Sequence, residues 1–199
     1  MSNFVILLFL DQKKVTLMSS AARVPVTTKC PQASLAAFTL LFGEAVHFCG
    51  RRCERSGKEW EEELKGLGRN VGPRILELAS AREKVPSRRT TAEGILFFVK
   101  DGIWETLFGR RAELEQVSGK AYEYFVVEDR SVLTRYIGDS GSPNVNYYTA
   151  GIIEGVMAAA GFDAQVSAFH VEEGRSYVTK FWVQIDEKVQ QREMRLKAT

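Results

Sequence analysis

The chain has 199 residues, 45% of them hydrophobic and 26% charged, and its 27 lysines and arginines against 25 aspartates and glutamates leave a formal charge of +2. That size and balance suit one folded domain with a sizeable core, and they exclude the strong basic excess of a nucleic-acid-binding domain. The three cysteines, Cys30, Cys49 and Cys53, are too few for a disulfide framework and fit a reducing, cytoplasmic setting.

Phe4 to Leu10 is apolar but has no basic residue ahead of it; it is short for a secretory signal and far too short to cross a bilayer. With the small, polar stretch that follows, residues 1–29 are expected to be an extension or linker, residues 30–186 the folded domain and residues 187–199 a charged tail. Pro31 suits the first turn of a helix. Leu35, Phe38, Leu41, Phe42, Ala45, Phe48 and Cys49 recur at three- and four-residue steps, which predicts an amphipathic helix ending near Ser56-Gly57.

A second helix is predicted from Ser56–Lys58, with Glu59, Glu61, Glu62 and Glu63 at its positive end and Leu64, Leu67, Val71, Ile75 and Leu78 as its apolar stripe. Gly66, Gly68 and Gly72 each cost about 1 kcal/mol relative to alanine in a helix, so a helix that keeps them is expected to meet another backbone closely. Pro73 is a point where it can bend. After the break at 84–89, Thr90 or Thr91 can cap a third helix through Trp104 to Phe108, apolar nearly all round and so mostly buried, with Gly109 as its stop.

Ala121 to Glu128 reads as a strand and Val132 to Ile137 as a short, weaker one. Gly138 to Asn146 is a loop. Tyr147 to Ala160 is a helix ending at Gly161, and Ala164–Val171 and Ser176–Ile185 are strands joined by a turn at Glu172-Glu173-Gly174. The segment after Asp186 is a helix or a frayed end.

Gly138-Asp139-Ser140-Gly141-Ser142-Pro143 looks like a serine-protease nucleophile loop, but that chemistry needs a base and an orienting carboxylate beside the serine. The upstream histidine, His47, lies on a helical segment, and the loop is better read as turn-forming residues. Cys49 and Cys53 share a helix face, yet His47 points elsewhere and nothing completes a four-ligand shell. His170 is expected to be a hydrogen-bonded structural histidine, and Glu59–Glu63 a solvated helix start. No phosphate-cradling or dinucleotide motif occurs. No catalytic, cofactor-binding or metal residue is therefore assigned. The pairs Arg51-Arg52, Arg88-Arg89 and Arg110-Arg111 sit at helix ends, where they complement dipoles or could face anionic lipid. Gly151 and Gly155 suggest close approach to a neighbouring element.

Three segments then carry a family resemblance: residues 63–76, residues 95–109, and residues 148–156 with Gly161-Phe162 and the strand through His170. In order and spacing they resemble the small-subunit family of the TRAPP (transport protein particle) complex, in its subunit 5 branch, over about Ala33 to Ile185. The resemblance implies an α/β fold of α+β type, with helices on one face of a small antiparallel sheet. It implies no enzyme and no cofactor. It implies a heterodimer with other TRAPP small subunits within a larger complex, contact with a Rab GTPase through that assembly, and a cytoplasmic, peripheral place at the cis-Golgi and endoplasmic reticulum, in vesicle tethering between the two. A sister subunit carries an acylated cysteine between its second and third helices; here that loop, 82–91, has Ser87 and arginines but no cysteine. Two other readings compete: a module holding a hydrophobic small molecule in a pocket lined by Phe97, Phe98 and Trp104, and a serine hydrolase using Ser140.

Overall fold

The computed structural model describes residues 34–57, 59–83, 88–129, 131–134, 143–173 and 176–197. Helix α1 (Leu35–Ser56) buries Phe38, Phe42, Val46, Cys49 and Cys53. It stops where Gly57 turns to φ 68° and donates its N–H to the Cys53 carbonyl at 2.8 Å, a left-handed conformation that glycine adopts without a Cβ penalty. Helix α2 (Trp60–Arg82) begins a few residues later than predicted and runs through Pro73.

Helix α3 (Ala92–Phe98) is capped by the Thr91 hydroxyl, which accepts from the Gly94 N–H at 3.1 Å. The single helix predicted here is in fact three pieces: α3, a π-helical turn at Val99–Ile103 and α4 (Trp104–Phe108). The wider turn leaves the Lys100 carbonyl to accept from the Ala112 N–H at 2.9 Å. Gly102 makes room for the Phe98 ring, since a Cβ there would lie 2.8 Å from Phe98 Cδ2. Gly109, at φ 67°, ends α4.

Strands β1 (Glu113–Gln116), β2 (Glu123–Asp129), β3 (Ala164–Glu173) and β4 (Ser176–Ile185) form an antiparallel sheet in the order β1-β2-β4-β3. β1 was not foreseen: it is an edge strand in which only Leu114 is partly buried, so it carries no apolar alternation. Val132 and Leu133 lie in a turn, so the weaker predicted strand is not present over 131–134; the rest of it lies outside the described residues, as does the loop at 138–142. β3 continues two residues further than predicted, with Glu173 opposite Ser176. Register places Val126, Phe181 and Ala168 side by side on the inner face, and Tyr124, Val183 and Val166 in the next row; all six are buried. The helices cover this face: Trp104 meets Phe181 at a ring separation of 5.6 Å, and α5 (Tyr147–Ala159) packs along β3. Phe42 of α1 stacks on Tyr148 of α5 at 5.1 Å, whose phenol burial pushes up to about 12 and so keeps neutral.

The closest packing in the molecule joins α2 to α5. A Cβ on Gly68 would overlap the Tyr148 carbonyl oxygen, and one on Gly72 would sit 2.5 Å from the Val156 nitrogen. In return, Gly151 faces the Lys65 carbonyl and Gly155 the Arg69 carbonyl. Pro73 has no N–H to give the Arg69 carbonyl in the usual helical pattern, and this is the carbonyl that meets Gly155. Beside the seam, Glu154 pairs with Lys65 at 3.0 Å and with Arg69 at 3.2 Å. Gly66 differs: a Cβ there meets nothing within 4 Å.

The C-terminal segment is helix α6 (Glu187–Lys197). Its Val189 and Glu193 are buried; the Glu193 carboxylate accepts from the Ala92 N–H at the start of α3, and Arg192 donates to the Gly161 carbonyl just beyond α5 at 2.9 Å. A buried ion pair joins Arg110, after α4, to Glu128 on the inner face of β2. Burial raises the Glu128 pKa, and the Arg110 charge offsets this only in part. Glu128 Oε2 and the adjacent Trp104 indole N–H close no hydrogen bond.

The glycine seam predicts opposite outcomes for two alanines. Gly72→Ala should cost about 3 kcal/mol or more, since backbone must move, whereas Gly66→Ala should stabilise by up to about 1 kcal/mol; urea denaturation distinguishes them. Glu128 predicts a pH effect. Its raised folded pKa stabilises the fold fully below the ordinary carboxylate range, and this contribution is lost as pH rises through the folded value. Glu128→Gln should therefore gain stability relative to the wild type from about pH 4 towards neutrality, measured by urea denaturation across that range; a difference that stays constant or runs the other way contradicts it.

Candidate interaction surface

The polar groups that invite catalytic readings are dispersed. Ser140 lies outside the described residues. Cys49 and Cys53 are buried on the inner side of α1 while His47 is exposed on the other. Burial, with Glu63 and Cys53 adding to it, pushes the Cys49 thiol up and away from the reactive thiolate. Among the described residues no three His, Cys, Asp or Glu side chains come together to hold a metal ion. The Ser131 hydroxyl donates to Asn146 Oδ1 at 2.6 Å, which leaves the Asn146 amide to donate to His170 Nε2 at 3.0 Å. His170 Nδ1 lies 3.5 Å from the Thr179 hydroxyl, so this histidine is a structural bridge between β3, β4 and the turn before α5.

The acidic start of α2 is also spent locally. Glu61 accepts from the Asn144 N–H at 3.1 Å, Glu62 meets Arg69 at 3.4 Å, and Glu63 meets Arg52 at 3.1 Å. The arginine pairs act in the same way. Arg51 reaches Glu44, Arg89 pairs with Glu83 and lies 3.7 Å over the Phe98 ring, Arg110 holds Glu128, and Arg111 approaches Asp101 at 3.8 Å. They staple neighbouring elements of the chain itself.

Phe97, Phe98 and Trp104 do not line a common pocket. The π-helical turn and the short helices around it aim them apart: Phe97 faces outward, 46% exposed, beside Lys100. Phe98 is buried under Arg89, and Trp104 fills the core between Phe108 and Phe181. The expectation of a helix apolar all round and mostly buried therefore fails at Phe97.

What remains is exposed apolar surface, chiefly on α1. The stripe read from the sequence was wider than one packed face: Phe38, Phe42 and Cys49 turn inward, while Leu41 and Phe48 stand 43% and 50% exposed and Leu40 stands 78% exposed. Large apolar side chains left in water on one helix mark a surface for another molecule. Where α1 meets the start of α2, the Trp60 indole lies over Gly50 and donates to the Val46 carbonyl at 3.1 Å, which fixes this end of α1 in place. A second exposure, missed in the sequence, is an open groove of about 430 Å³ on the outer sheet face, lined in part by Phe125, Phe169 and Trp182. Its signal was the aromatic pairs Tyr124-Phe125 and Phe181-Trp182, which must place one ring on each face of the sheet.

Comparison with known proteins gives consistent matches. Residues 38–186 match the family described as Transport protein particle (TRAPP) component. Trafficking protein particle complex subunit 5 of Homo sapiens is 39% identical over 154 residues, covering 75% of this chain and 81% of that protein. Its Dictyostelium discoideum counterpart is 34% identical over 158 residues, covering 77% and 84%. Trafficking protein particle complex subunit 31 of Saccharomyces cerevisiae is 26% identical over 229 residues, covering 83% and 80%. Among solved structures, a trafficking protein particle complex subunit 3 from Naegleria fowleri, covalently bound to palmitic acid, superposes with a TM-score of 0.60 at 13% identity, over 77% of this chain and 95% of that one. The last match speaks to the shared fold.

Proposed function

This chain belongs to the TRAPP component family, and from that premise we propose that it is a structural subunit of a TRAPP vesicle-tethering complex. It docks through the outward face of α1 onto another small subunit. Its contribution is architectural: it holds an assembly that tethers vesicles between endoplasmic reticulum and Golgi and supports nucleotide exchange on a Rab GTPase. It works on the cytoplasmic side, as a peripheral component; no helix among the described residues is long and apolar enough to cross a membrane.

The observation that carries this reading is the exposure of Leu40, Leu41 and Phe48 on a helix whose opposite side is fully packed. Burying an exposed leucine or phenylalanine contributes about 1.5–3 kcal/mol, so three on one helix suffice to anchor a partner. The dispersal of the titratable groups supports a scaffold in preference to a reactive cleft, and their use as internal staples fits a chain that must present a fixed shape.

Co-expression with the other small subunits of its own particle should recover one of them in equimolar amount. Replacing Leu40, Leu41 and Phe48 together with serine should weaken that capture by about 100-fold, roughly 3 kcal/mol, without changing the unfolding transition. Hydrogen exchange should show α1 protected only in the complex. A chain that stays alone, with α1 equally protected in every mixture, contradicts the proposal.

A further inference from the structure

The exposed face of α1 is not uniform. Its first half presents Ala37, Leu40 and Leu41; its last two turns present Arg51, Arg52 and Arg55. Arg52 is held by Glu63 at 3.1 Å and lies 5.9 Å from the Phe48 ring centroid. Arg51 reaches back to Glu44, with both side chains more than half exposed. Arg55 is exposed and makes no ion pair with the described residues. One helix face thus runs from apolar to cationic.

We infer that this face accepts a different protein chain, one that is apolar opposite Leu40 and Leu41 and carries carboxylates opposite Arg51 and Arg55. The inference rests on the docking role proposed above and adds the chemistry of the partner. A second copy of this chain does not meet the requirement. Paired in parallel, two α1 faces set arginine against arginine. Paired antiparallel with the whole face overlapped, they set Ala37 against Arg55, Leu40 against Arg52 and Leu41 against Arg51, so each apolar side chain faces a charge. Both arrangements are penalised, and specificity of this kind comes as much from such mismatches as from good contacts. A carboxylate partner instead gives the guanidinium forks charge-assisted, two-point hydrogen bonds and draws the partner in along one orientation.

The small subunit that copurifies with the wild-type chain, expressed separately, serves as the probe. Association should depend steeply on salt. Arg51→Glu with Arg55→Glu should slow association about tenfold at low salt and flatten that dependence, while Leu41→Ser should mainly speed dissociation; circular dichroism checks that α1 persists in each variant. The isolated chain should form no discrete dimer in light scattering across its concentration range. An unchanged or faster association of the double glutamate variant overturns the inference and leaves the docking role standing, as does a two-copy complex that Leu41→Ser dissolves. If no small subunit copurifies, the docking role falls and the inference falls with it.

Discussion

The arrangement of every other element depends on two helices whose backbones nearly touch. α2 and α5 approach closely because Gly68, Gly72, Gly151 and Gly155 remove side chains from both sides of the contact. Each of these glycines weakens its own helix, and the loss is recovered only because backbone meets backbone across the seam. The position of Pro73 fits the same geometry, since the carbonyl it leaves without a helical donor is one that abuts Gly155. With α5 fixed in this way, the inner face of the sheet is covered from one side, and α1, resting on α5 through Phe42 and Tyr148, is left with its outer side in water.

That division explains why a chain rich in arginine, glutamate and histidine lacks an evident reactive centre among the described residues. Charged groups lie where elements meet: Glu154 across the seam, Glu63 between α1 and α2, Glu128 between β2 and the end of α4. Each has an opposite charge within reach, which lowers the cost of burying it. A reactive cleft gathers such groups; here they hold separate joints.

Much of this was legible in the residues. Periodicity located the helices, and the stop signals Gly57, Gly109 and Gly161 all adopt positive φ. The three glycines of α2 announced a close backbone neighbour, and for Gly68 and Gly72 that neighbour is α5; Gly66 shows that composition alone does not tell which glycine is in contact. Local pattern could not reveal β1, whose stability comes from pairing with β2 and not from its own apolar residues. Nor could it reveal the π-helical turn, because one extra residue in a helix leaves the apolar spacing almost intact. The outward turn of Leu41, Phe48 and Phe97 is likewise a tertiary fact: periodicity marks apolar residues, and only packing decides which of them the core has room for.

The last helix has a bearing out of proportion to its charged composition. α6 supplies a carboxylate to the opening amide of α3 and a guanidinium to the carbonyl that follows α5. Those two ends belong to different helices, and the same eleven-residue strap closes both. A protein shortened at Asp186 would keep its entire sheet but surrender the fastening at one terminus of each helix, so the wedge of Val189 and these two closures would be lost together. What reads as a polar appendage is a keystone holding the helical layer against the sheet.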